Sequence, residues 1–230
     1  MPAQDDEFNW RQSLERLGQA ALDLVSSLGA RTPGEQGPTG AGAQATETRA
    51  VSGFTQVRLE GFGTLNITQG AADTLSITAD EDVLPHLTAE VVNGTLELGV
   101  KPRLSFKSLR RVTYTVTVQR LEGIQLSGAG NVHATGLETP TFGVTISGAG
   151  DVTVAGSAQK QNVRITGAGN YNAGDLQTDT TDVTITGAGN ARISVAQMLY
   201  ATISGAGVVT YHGMPQVSQR VTGVGSVKQG

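Results

Sequence analysis

The chain has 230 residues, is 38% hydrophobic and carries a formal net charge of −4 with no cysteine. That length and apolar share are enough for one or two domains with buried cores, which excludes a disordered chain. The missing cysteines exclude disulfides and thiolate metal sites, and no basic run exceeds "SLRR" at 108–111, which argues against a nucleic-acid backbone as partner.

The opening stretch "MPAQDDEFNWRQ" lacks the basic and apolar regions of a secretory signal, and no segment approaches the ~20 apolar residues of a membrane span. Residues 1–29 are expected to form an amphipathic α-helix. Trp10, Leu14, Leu17, Ala21, Leu24 and Leu28 recur at alternating spacings of four and three, which is a heptad seam. Asp5, Asp6 and Glu7 suit the positive end of the helix dipole, and Gly29 supplies a stop. The seam is read as packing on the chain's own sheet domain or on a copy of itself, a self-association surface, with docking of another protein as the alternative. Residues 30–48 combine Gly, Pro, Ala, Thr and polar side chains with no aliphatic larger than Ala, the composition of a flexible linker.

Residues 49–120 alternate apolar with polar positions and are rich in Val, Ile and Thr, so they are expected to be strands. Asn93-Gly94, set between "AEVV" and "TLEL", marks a hairpin.

Residues 121–230 repeat. Gly128, Gly148, Gly167, Gly187, Gly205 and Gly223 form one column, at intervals of 20, 19, 20, 18 and 18 residues. A fixed period of this size marks a solenoid. Aliphatic residues stand two positions earlier, from Leu126 and Ile146 to Ile203 and Val221, and mostly again two before those. The Ala column that follows each glycine, from Ala129 to Ala206, is read as part of the same inward face. Beyond the motif the apolar alternation then resumes out of phase at Val132, Val152, Tyr171, Ala191 and Val209. That reading places a corner at Gly130-Asn131, Gly150-Asp151, Gly169-Asn170 and Gly189-Asn190, residue types that tolerate positive φ. One winding buries too few aliphatics to offset its own ordering entropy, so equivalent strands must stack ~4.8 Å apart. The corner column holds one Asp among three Asn, which reads as a stacked amide ladder without metal.

The glycine motifs together with "GF" at 53–54, "ITQG" at 67–70, "NGTLEL" at 93–98, "YTVTVQRLEGIQLSGAG" at 114–130 and "VVTYHGMP" at 208–215 resemble the head GIN domain family of putative auto-transporter adhesins, over about residues 47–230. The resemblance implies a right-handed β-helical fold, export to the bacterial cell surface and no established enzymatic activity. The fold class expected is therefore all-β: a right-handed parallel β-helix with a β-rich N-terminal half and the added N-terminal amphipathic helix.

Catalysis on such a fold needs paired carboxylates on neighbouring strands. Glu138, Asp175, Asp179 and Asp182 stand at different offsets from their own motif glycines, and His86, His133 and His212 share no ligand spacing. No catalytic, cofactor-binding or metal residue is assigned, and no cofactor is implied. The last winding stops a few residues after Val227 with nothing in the sequence to cover its edges, and open edges pair with other chains. The function expected is a structural or adhesin-like solenoid whose partner is a second copy, giving an oligomer or filament. The alternative is a module that binds surface carbohydrate or protein, and a third reading is a polysaccharide-active enzyme.

Overall fold

The computed structural model describes residues 43–101 and 111–230. Its strands are β1 (Gln44–Arg49), β2 (Gln56–Leu59), β3 (Phe62–Gln69), β4 (Thr74–Asp80), β5 (Leu87–Val92), β6 (Thr95–Val100), β7 (Thr113–Val118) and β8 (Gly123–Leu126). They are followed by the long β9 (Ala129–Ile146), β10 (Ala149–Ile165), β11 (Ala168–Ile185) and β12 (Asn190–Ile203), and by the short β13 (Val208–His212), β14 (Gln216–Val221) and β15 (Ser226–Gln229).

The long strands stack in parallel and in register, each winding on the one before. Val152 lies between Val132 and Tyr171, Tyr171 pairs with Ala191, and Ala191 pairs with Val209. Ile146, Ile165, Ile185 and Ile203 form a second continuous column, buried without gaps. The architecture is an all-β solenoid.

The expected N-terminal α-helix is corrected. The described residues contain no α-helix, only the 3-10 turn Leu84–His86, and the seam residues Trp10, Leu14, Leu17, Ala21, Leu24 and Leu28 lie outside the described residues. A heptad stripe states only what a helix would bury if a partner were present. Among the described residues the solenoid interior is filled by strand residues together with Phe54, Val83, Leu84, Val112 and Leu121 from the connections. Residues 44–48, read as the end of a linker, are instead strand β1, which pairs antiparallel with β4. An outermost strand has one partner and little core to fill, so polar Thr and Gln suffice there.

The N-terminal half winds in a different order from the chain. β2 and β3 are themselves a winding, because β8 and β9 stack on them in parallel. Leu59-Glu60-Gly61-Phe62-Gly63 therefore occupies the place of the "LSGAG" motif. Ser127 and Gly128 donate their N–H groups to the Leu59 carbonyl as Ser147 and Gly148 do to that of Leu126. On the other side of this winding lie β6 against β2 and β7 against β3. The antiparallel strands β5, β4 and β1 close that end. The β5–β6 hairpin turns at Asn93 and Gly94, whose φ values of 48° and 76° suit a tight primed turn.

Candidate functional site

The glycine corner differs from the sequence expectation in one respect that matters for the surface. Ile146, Gly148, Gly150, Val152 and Val154 all point inward in unbroken alternation, while Ala149 is exposed, as are Ala129, Ala168, Ala188 and Ala206. No phase change occurs at the motif. The slips fall later in the winding, where buried Ala173 is followed by Leu176 and buried Thr178 by Thr181. Close approach, not positive φ, explains most of the corner glycines. A Cβ on Gly167 would overlap the carbonyl oxygens of Gly148 and Ser147, and one on Gly169 would overlap that of Gly150. The backbones come this close because two N–H groups of each corner share one carbonyl of the winding before: Thr166 and Gly167 both donate to Ile146 O, at 2.9 and 3.2 Å.

The polar residues after the second glycine form a continuous ladder along the outside. Asp151 N donates to Asn131 Oδ1 (3.3 Å), Asn170 Nδ2 to Asp151 Oδ1 (2.9 Å), Asn190 Nδ2 to Asn170 Oδ1 (3.0 Å) and Val208 N to Asn190 Oδ1 (3.1 Å). Amides can both donate and accept, so each step is satisfied, and the single carboxylate accepts from the amide beside it.

Inside, a buried polar network that the sequence pattern did not reveal links neighbouring windings from β10 to β12. Gln161 Nε2 donates to Tyr171 Oη, Thr181 Oγ1 to Gln161 Oε1 (3.3 Å), and Thr178 Oγ1 to the Ser194 carbonyl (2.8 Å). Gln161 and Thr181 stand in one column between Phe142 and Leu199. Burial raises the Tyr171 hydroxyl far above its ordinary pKa, partly opposed by its bond to Gln161. The network is structural, since every member is enclosed.

The acidic residues singled out from sequence remain out of register: Glu138 pairs with Ser157, Asp175 with Ala155 and Asp182 with Asn162. Glu138 and Asp179 do share the rim of a shallow polar groove of about 620 Å³, with Gln69, Gln159 and Gln177. Of the histidines, His133 is exposed and His86 ends the 3-10 turn. Arg192 Nε donates to His212 Nε2 (3.2 Å) near Lys228.

The two ends of the solenoid are unlike. At the N-terminal end Arg49 reaches across the core, donating to the carbonyls of Leu87 (2.7 Å) and Leu84 (3.1 Å) and pairing with Glu47 (3.2 Å). Charged side chains thus occupy inward positions of edge strand β1, and Val83, Leu84 and Leu87 fill in beneath them. At the other end β14 is exposed at every residue. Val221, which continues the Ile146-to-Ile203 column, is 39% exposed, and Val217 is 38% exposed. Among the described residues no strand pairs the outer edges of β14 or β15.

A family model for the head GIN domain, described as a putative auto-transporter adhesin, matches residues 53–215, most of the chain. The chain belongs to the head GIN domain family. Among solved structures it is similar to a putative adhesin from Bacteroides fragilis, at 22% identity and a TM-score of 0.69, covering 83% of this chain and 99% of that one. A putative adhesin from Parabacteroides merdae is 22% identical with a TM-score of 0.49, covering 84% and 98%. A putative lipid binding protein from Parabacteroides distasonis is 20% identical with a TM-score of 0.49, covering 84% and 98%. At these identities the likeness bears on the fold alone. No curated protein matches the chain. Within this head GIN domain no described helix is long and apolar enough to cross a membrane.

Proposed function

We propose that this head GIN domain protein is a non-enzymatic, adhesin-like structural solenoid that joins end to end through its last winding. The observation that carries the reading is the bared terminal layer. Val217 follows buried Leu199, Thr181, Gln161 and Phe142 and Val221 follows the buried isoleucine column, yet both lie open on a strand whose outer edge has no strand partner among the described residues. A row of unpaired backbone groups flanked by exposed valines is a template for another strand. The N-terminal end differs, with charged Glu47 and Arg49 on its edge strand β1, which gives the particle a polarity.

Sedimentation velocity on the full chain across a wide concentration range, with negative-stain electron microscopy of the same samples, tests this. Concentration-dependent species larger than the monomer, seen as end-joined rods, are expected. A monomer at all concentrations would refute it.

A second reading, recognition of surface carbohydrate, is favoured by the polar groove beside Glu138, Gln177 and Asp179. Neutral side-chain amides and carboxylates in an open cleft suit sugar hydroxyls. Glycan-array binding that is lost on Gln177→Ala with assembly intact would support this reading over self-association.

A further inference from the structure

Resting on the end-to-end reading above, we infer that the joint is head to tail: β14 of one copy adds antiparallel to β5 of the next, with Arg220 set against Glu90. The outward-facing residues of one flank form a single register column across the whole solenoid. It runs Glu90, Glu97, Arg58, Gln125 and Thr145, then through Arg164, Thr184 and Thr202 to Arg220. Among the described residues β5 and β14 are thus the two strands of this flank with no strand on their outer side, at opposite ends, though the Leu87 carbonyl of β5 accepts from Arg49. Placing one copy after another continues the column and brings Arg220 onto Glu90. The adjacent inward column then continues from Val221 to Ala89 of the next copy, which stands in register with Leu98.

Charge at the paired positions favours this joint over one between two C-terminal ends. After Asp182 the sequence has no acidic residue, while Arg192, Arg220 and Lys228 are all present. The first layers carry Glu81, Asp82, Glu90 and Glu97 together with Arg49, Arg58 and Lys101, so the complementarity lies at Glu90 itself and not in the net charge of that end. Glu90 and Glu97 stand directly opposite each other on β5 and β6, an unfavourable like-charge pair, and Arg58 forms ion pairs with Glu97 (2.9 Å) and Glu60 (3.4 Å). A cation arriving beside Glu90 relieves that repulsion. A tail-to-tail joint would instead bring the basic ends of two copies together. Both edges also carry exposed apolar residues: Val91 and Val92 on β5, Val217 and Val221 on β14. Because the two surfaces differ, the contact is heterologous, and it propagates into a filament unless it closes into a ring.

The test uses the full-length chain and charge reversal at the two exposed positions. Arg220→Glu and Glu90→Arg should each raise the concentration for half assembly by about tenfold or more, with thermal unfolding of the dilute monomer unchanged. Mixing the two variants should restore long assemblies, since each supplies the end the other has lost. If wild type assembles but Glu90→Arg does not alter it, or if assembly stops at a closed dimer, the head-to-tail joint is overturned while self-association stands. If wild type stays monomeric, both fall.

Discussion

Tyr114 and Tyr171 are both fully buried, yet only the hydroxyl of Tyr171 has a partner; that of Tyr114 has none among the described residues. A buried hydroxyl without a hydrogen bond is destabilising, whereas removing one half of a buried pair strands the other half. Tyr114→Phe should therefore leave stability at neutral pH unchanged or slightly raised. Tyr171→Phe should lower it by about 1–3 kcal/mol, because the Gln161 amide is left unpaired; denaturant titration measures both. Burial pushes the Tyr114 hydroxyl up to about 12, against the lowering influence of Arg49, and raises that of Tyr171 further. Folded values above the ordinary tyrosine value of about 10 mean that the fold favours the neutral hydroxyls. The stability they confer is fully present below about pH 10 and is lost as pH rises through the folded values. The unfolding midpoint should thus begin to fall above about pH 10, less steeply in Tyr114→Phe than in wild type.

At the scale of elements, the motif works by bringing backbones together. Gly167→Ala should cost about 3 kcal/mol or more, since its methyl meets carbonyl oxygens that cannot move without opening the ladder. Ala168→Ser, one residue on, should cost almost nothing, because Ala168 faces solvent. Comparing the thermal unfolding of the two variants checks this. The period and the stacking columns were legible because every winding repeats the same inward aliphatics. The direction of Ala149 and its equivalents was not, because a glycine inside a wall looks in sequence like a turn residue, and its neighbour Ala is apolar on either face. The first copy of the motif was missed for two reasons. Phe62 replaces the usual Ala, and the strands from β4 to β7 separate Gly61 from Gly128, hiding the period. A search for an aliphatic residue followed by x-Gly-x-Gly, with the middle position free, would have found "LEGFG".

For the molecule as a whole, the functional surface depends on spatial order more than on chain order. The sequence shows where the last winding lies but not what lies at the other end, because β6 and β7 come after β2 and β3 in the chain yet outside them in the stack. Only that order shows that β5 and β14 share a flank, with Glu90 at one edge and Arg220 at the other. It also shows which edge is guarded: inward-pointing Glu47 and Arg49 make β1, on the other flank from β5, a poor template, a common means of discouraging edge pairing. Among the described residues nothing comparable guards β14.

Pairing at that edge would shield backbone amides now open to water, so hydrogen exchange measured against protein concentration addresses the joint directly. Slowed exchange that grows with concentration in residues 216–221 and 87–92 together, with the middle windings unchanged, is the result expected. Exchange in those two strands that does not depend on concentration would contradict the account.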